Sequence, residues 1–172
     1  MALDRIDFEI LAALQNDGRL TNKELAAQVG LAPSSCLERV RRLRDSGALR
    51  GSHADVDPAA LGIGLQALVA VRLKQHSRDV VEAFRAYVRS LPEVSAVYHV
   101  GGAQDFLVHV SMRDANHLRD FAFDAFTTRA EVAHLETSLI FEFLRNPVLP
   151  DYSQQPRPSP QPSPRGGGGR RG

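Results

Sequence analysis

Apolar residues recur at helical spacing over the first quarter of the chain, and the period then changes. Ile6, Ile10, Leu11 and Leu14 predict a helix from Asp4 to Asn16, with Asp4 as its N-cap and Asp17-Gly18 as its stop. Thr21 followed by Glu24 is a capping-box start for a short second helix that buries Leu25, Ala26 and Val29 and leaves at Gly30. Pro33 suits a first helical position, so a third helix restarts at once. At about 100° per residue, Cys36, Leu37, Val40 and Leu43 gather on one side, with the Arg44 stem laid along it. Ser34, Ser35, Glu38, Arg41, Arg42 and Asp45 fall roughly opposite, and Arg39 lies at the border. Two short helices around a tight Gly turn, buttressed by a first, make a helix-turn-helix unit. Ala48 to Val56 loosely alternates and reads as a short two-stranded wing, and Asp57-Pro58 closes the unit.

From Gln66 the pattern alternates between strands and helices. Ala67 to Leu73 is a buried strand, and Val80, Val81, Phe84, Tyr87, Val88 and Leu91 trace a helix face closed by Pro92. Val94 to Val100 and Phe106 to Met112 are strands joined across Gly101-Gly102-Ala103-Gln104. Asp114 caps a further helix carrying Leu118, Phe121, Ala122, Ala125 and Phe126, and Val132 to Phe143 is a last strand. The order β-α-β-β-α-β is the ferredoxin-like arrangement, so the expected class is α+β. One sheet face lies under its helices, and the other face or an edge is free to pair with a second copy. The expected division is 1–57 for the helical unit, 58–65 for a hinge, 66–146 for the sheet domain and 147–172 for a tail. Six prolines from Pro150 to Pro164 and the glycines 166–169 cannot bury a core, so the tail is read as disordered.

Composition narrows the classes. The chain has 172 residues, 43% hydrophobic and 24% charged, with one cysteine. It shows neither a signal peptide nor a membrane-length apolar run, and the single cysteine excludes an internal disulfide framework, so a cytoplasmic location is expected. Cys36 is read as core packing. A formal net charge of +1 hides five arginines between Arg39 and Arg50 on a body that is mildly acidic from residue 51 to 150. That asymmetry, joined to the turn spacing, points to double-stranded DNA as the partner of one end. Small hydroxyl residues at the start of a recognition helix approach base edges, and arginines reach guanines or phosphates. Ser34, Ser35, Glu38, Arg39 and Arg42 are therefore expected near bases, and Thr21, Asn22, Lys23, Arg41 and Arg50 near phosphates. His99 and His109 on the paired strands lack a third ligand at matching spacing and read as half-buried strand histidines, so neither a metal nor another cofactor is expected.

These residues resemble the leucine-responsive and asparagine regulators, the Lrp/AsnC or feast/famine transcription factors. The likeness runs from Leu3-Asp4, Asp7 and Ile10-Leu11 through Asp17-Gly18-Arg19, Leu25-Ala26, Val29-Gly30-Leu31, Pro33, Cys36 and Arg39-Val40 to Arg42-Leu43. Ser46-Gly47, Asp57-Pro58, Leu91-Pro92-Glu93-Val94 and Gly102 with Asp105-Phe106 continue it, over about residues 3 to 145. The resemblance implies a winged helix-turn-helix followed by an amino-acid-sensing domain, homodimers formed through the sensor sheet, and octamers built from such dimers. It implies an effector between sensor domains of neighbouring dimers, with Gly101, Gly102, Asp105 and Thr137 as contact positions. Gly102 would admit a carboxylate to backbone N–H groups, and Asp105 would orient the loop or meet an ammonium. The expected function is control of amino-acid metabolism genes without enzymatic activity. Two rivals stand beside it: a sirohaem-decarboxylase-like enzyme on the same fold, and a sensor acting through protein partners.

Overall fold

The computed structural model describes residues 3–146 and 148–153. The tail read from 147 onward therefore lies largely outside the described residues. The chain divides into two compact units after Ser52, the described residues beyond Arg145 belonging with the first.

The first unit is built from α1 (Arg5–Asn16), α2 (Asn22–Gln28) and α3 (Pro33–Asp45). The predicted capping box forms, Thr21 and Glu24 exchanging side-chain and backbone bonds at the start of α2, and the expected N-cap Asp4 is extended by Asp7 into a second box at the start of α1. The α2–α3 turn follows from one glycine. Gly30 takes φ 68°, which lets Leu31 N–H donate to the Ala26 carbonyl at 2.9 Å and end α2 in a Schellman turn. Ile10, Leu25, Cys36 and Leu43 fill the core between the helices. Two expectations for α3 fail. Leu37 is 57% exposed and Arg44 is exposed, because the α3 side chains buried in the core are Cys36, Val40 and Leu43. The two wing strands do not form either: residues 50–57 are all exposed, Gly47 and Gly51 carry positive φ, and no partner strand is present there among the described residues. After Arg145 the chain returns to α1, where Leu149 N–H donates to Gln15 Oε1 at 2.8 Å.

The second unit opens with a 3-10 turn, Pro58–Leu61, capped by Asp57 and ended by Gly62 at φ 75°. Then come β1 (Leu65–Leu73), α4 (Arg78–Arg89), β2 (Val94–His99), β3 (Phe106–Met112), α5 (Ala115–Ala122) with a π-turn at Phe123–Thr127, and β4 (Val132–Ile140). The sheet is antiparallel throughout, in the order β2-β3-β1-β4, the ferredoxin-like topology. Val69, Val71, Phe106 and Val108 project to the helix side and meet Phe84 of α4 and Phe126 of the π-turn. Phe84 lies 5.0 Å from Phe106 and 6.3 Å from Phe126, ring centre to ring centre. β4 stops at Ile140 rather than Phe143 because its partner runs out: Ile140 already pairs with Gln66, next to the first residue of β1.

Candidate nucleic-acid interface and effector loop

The polar side of α3 is the candidate nucleic-acid surface. Ser34, Ser35, Glu38 and Arg41 are exposed along it, and so is Leu37, which the sequence pattern had assigned to the core. Arg41 makes only a loose pair with Asp45, at 3.8 Å on the same helix face. Lys23 and Arg50 are exposed. Thr21 and Asn22 have work inside the turn. The Thr21 hydroxyl is shared with Glu24, whose carboxylate is held below its ordinary range by that hydrogen bond and the Thr21 N–H. Asn22 Nδ2 donates to the Pro33 carbonyl at 2.8 Å, tying the start of α2 to the start of α3.

Arg39 and Arg42 are also engaged within the domain. Arg39 Nη1 donates to Asp7 Oδ1 at 2.8 Å and to Asp4 Oδ2 at 2.7 Å. Arg42 Nη2 lies 2.9 Å from each Asp7 oxygen. The Asp7 side chain is almost fully buried, so its charge requires these partners. The hydrogen bond from Arg39, then the Asp7 N–H, pulls the Asp4 carboxyl below the usual carboxylate range. The pattern of helical spacing places Arg42 on the free side of α3; it contains nothing to announce that Asp7, more than thirty residues earlier, reaches across to it.

In the second unit, the β2–β3 loop carries Gly101, Gly102 and Asp105. Gly102 takes φ 127°, a conformation side chains rarely adopt, and space beyond its Cα is open. Asp105 braces the loop against the end of β1: Oδ2 accepts from Leu73 N–H at 2.7 Å, and Oδ1 lies 2.9 Å from His76 Nε2. Its backbone N–H donates to Val71 and its carbonyl accepts from Val100, each at 2.9 Å. Thr137 is exposed on β4, opposite Val69. β1 stands between β3 and β4, so within one chain Thr137 is not brought beside the glycine loop. His99 and His109 occupy opposite faces of the sheet, His99 stacked on Phe106 at 4.8 Å and His109 beneath Phe143 at 5.6 Å. Among the described residues no group of three or more His, Cys, Asp or Glu side chains could hold a metal ion.

The open face of the sheet is apolar. Leu68, Tyr98, Val100, Leu107, His109, Ile140 and Phe143 line a groove of about 270 Å³. Past the end of β4, Phe141 is 96% and Leu144 is 82% exposed. The sequence pattern, which ran the last strand on to Phe143, missed this exposed apolar segment.

Comparison with known proteins places both units. Residues 3–50 match the family described as winged helix-turn-helix DNA-binding, and residues 66–147 match the Lrp/AsnC ligand binding domain. The HTH-type transcriptional regulator AldR of Mycolicibacterium smegmatis is 47% identical over 83% of this chain and 84% of its own. This chain belongs to the Lrp/AsnC family of transcriptional regulators. The leucine-responsive regulatory protein of Rhizobium meliloti is 39% identical over 80% of this chain and 88% of its own. Among solved Lrp/AsnC relatives, a Neisseria meningitidis transcriptional regulator in complex with L-Met is 34% identical, with a TM-score of 0.76 over 84% of this chain and 94% of its own. The crystal structure of Mycobacterium tuberculosis AldR is 40% identical, with a TM-score of 0.71 over 86% of this chain and all of its own. The expected fold, a winged helix-turn-helix with a ferredoxin-like α+β domain, agrees with these matches. In this member, the residues at the wing position carry no strand.

Proposed function

We propose that this Lrp/AsnC regulator reads a roughly two-fold symmetric DNA site and answers to an amino acid, so that it controls genes of amino-acid metabolism in the cytoplasm. The observation that carries the effector reading is the L-Met-bound Neisseria relative, similar over both units, together with an open glycine loop braced by Asp105. Gly101 and Gly102 offer backbone N–H groups to a carboxylate, and Asp105 acts by holding the loop in place. Thr137 contributes from a neighbouring copy, since it lies beyond β1 from that loop.

At the DNA, the exposed side of α3 supplies the base contacts. Ser34, Ser35 and Glu38 offer hydroxyl and carboxylate groups, and Leu37 offers an apolar surface to a thymine methyl. Lys23, Arg41 and Arg50 are free to approach phosphates. Two such helices in a dimer call for half-sites about 10 bp apart or a multiple of that.

A second copy seats on the apolar groove of the open sheet face. Leu68, Tyr98, Leu107, Ile140 and Phe143 supply the contact, with Phe141 and Leu144 exposed just past the end of β4, and an exposed apolar face of this kind marks an interaction surface. Leu107→Glu is then expected to shift the protein from dimer to monomer in sedimentation, and an unchanged mass would remove this face from the assembly.

The direct test of function is selection of genomic fragments by the purified protein near physiological salt, with and without the twenty amino acids. Enrichment of a symmetric sequence that the pool shifts supports both halves. Enrichment indifferent to the pool removes the amino-acid effector, and no enrichment removes sequence-specific regulation.

A further inference from the structure

The α3 arginines divide into two sets, and a buried carboxylate makes the division. Asp7 accepts from Arg39 and Arg42, and its Oδ2 also accepts from Asp4 N–H at 3.1 Å in the α1 capping box. Asp4 takes a further bond from Arg39. Two arginine charges thus face two carboxylate charges across the α1–α3 contact, and the group is neutral as a whole. Arg39 and Arg42 are one turn apart on α3, so fixing both to one carboxylate fixes the rotation of α3 about its own axis.

We propose that Asp7 is a positioning residue of the DNA interface: it withholds Arg39 and Arg42 from the phosphates and uses them to aim the Ser34–Glu38–Arg41 side of α3 outward. A guanidinium already matched to a buried carboxylate displaces no counterion from DNA, so neither arginine contributes to the salt dependence of binding. Asp7 therefore favours discrimination over general affinity, because the cations it ties down would otherwise attract any sequence.

The test measures affinity for a selected site and for random DNA across a salt series, using wild type, Arg42→Gln and Asp7→Asn. The wild-type salt slope itself tests DNA binding, independently of the variants. Arg42→Gln is expected to leave the salt slope on random DNA unchanged and to lower affinity for the selected site. Asp7→Asn is expected to steepen that slope by about one to two, as freed arginines meet phosphates, and to tighten binding to random DNA. The ratio of specific to random affinity falls in both. A loss of about one in the slope for Arg42→Gln would make that arginine an ordinary phosphate contact and overturn the proposal. Equal weakening on both DNAs with an unchanged slope in Asp7→Asn would reduce Asp7 to a structural ion-pair member, and also overturn it. Should Asp7→Asn fail to fold by circular dichroism, Arg42→Gln decides alone, since its side chain is nearly half exposed and leaves Arg39 on Asp7.

Discussion

At the scale of single residues, the recognition helix shows where capping is missing and where charge is spent. Ala32 is the N-cap of α3, in the extended conformation a cap requires, yet it offers no side-chain acceptor to the first turn. Ala32→Ser supplies one, and should raise the midpoint of urea unfolding by an amount equivalent to about 1 kcal/mol. An unchanged midpoint would mean that water already satisfies those N–H groups. A missing side-chain acceptor at Ala32 follows from residue type once the start of α3 is fixed, because capping is a local property. The role of Arg42 was not legible in the sequence, because helical spacing reports which side of α3 it occupies and not what waits there.

At the scale of elements, the sheet is limited by close approaches that leave no room for a side chain. Gly64 precedes β1, and its N–H donates to the Met112 carbonyl at 2.9 Å. A Cβ added there would sit 2.2 Å from the Arg113 carbonyl oxygen, so space, not φ, demands glycine. Gly64→Ala is expected to cost about 1–3 kcal/mol in urea unfolding, as other overpacked sites do. A loss well under that range would show that the β1 entrance yields. At the other end of the unit, Arg129 stacks over Tyr87 at 3.8 Å and its Nε donates to Glu131 Oε1 at 2.6 Å, shaping the turn into β4. Its neighbour Glu131 carries the backbone across, its carbonyl accepting from Lys74 N–H.

At the scale of the whole molecule, the open sheet face sets a pH response. His109 is 7% exposed in an apolar row, its Nε2 has no partner, and burial lowers its pKa from 6.5. The folded state therefore favours neutral His109. Stability from this group is complete above pH 6.5, falls as pH drops below 6.5 towards the lowered folded value, and is constant below that. Wild type should lose more stability than His109→Leu between about pH 7.5 and pH 5.5, measured by urea unfolding. Equal losses in the two proteins would show that carboxylates alone govern the acid limb.

What the sequence determined by itself are the properties written locally: helix periodicity, the Asp4 N-cap and the Thr21–Glu24 capping box, the Gly30 turn, and the alternation that orders β1 to β4. Each depends on residues within a turn or a strand of one another, where spacing and backbone chemistry leave few choices. Only the tertiary structure decided which polar groups are already partnered. It joined Asp7 to Arg39 and Arg42, tied Asp105 to Leu73, and put β1 between the glycine loop and Thr137. It also left Leu37 in the open and ended β4 at Ile140. Pairings over more than thirty residues leave no periodic trace in the chain, because they depend on how elements pack and not on how each one forms.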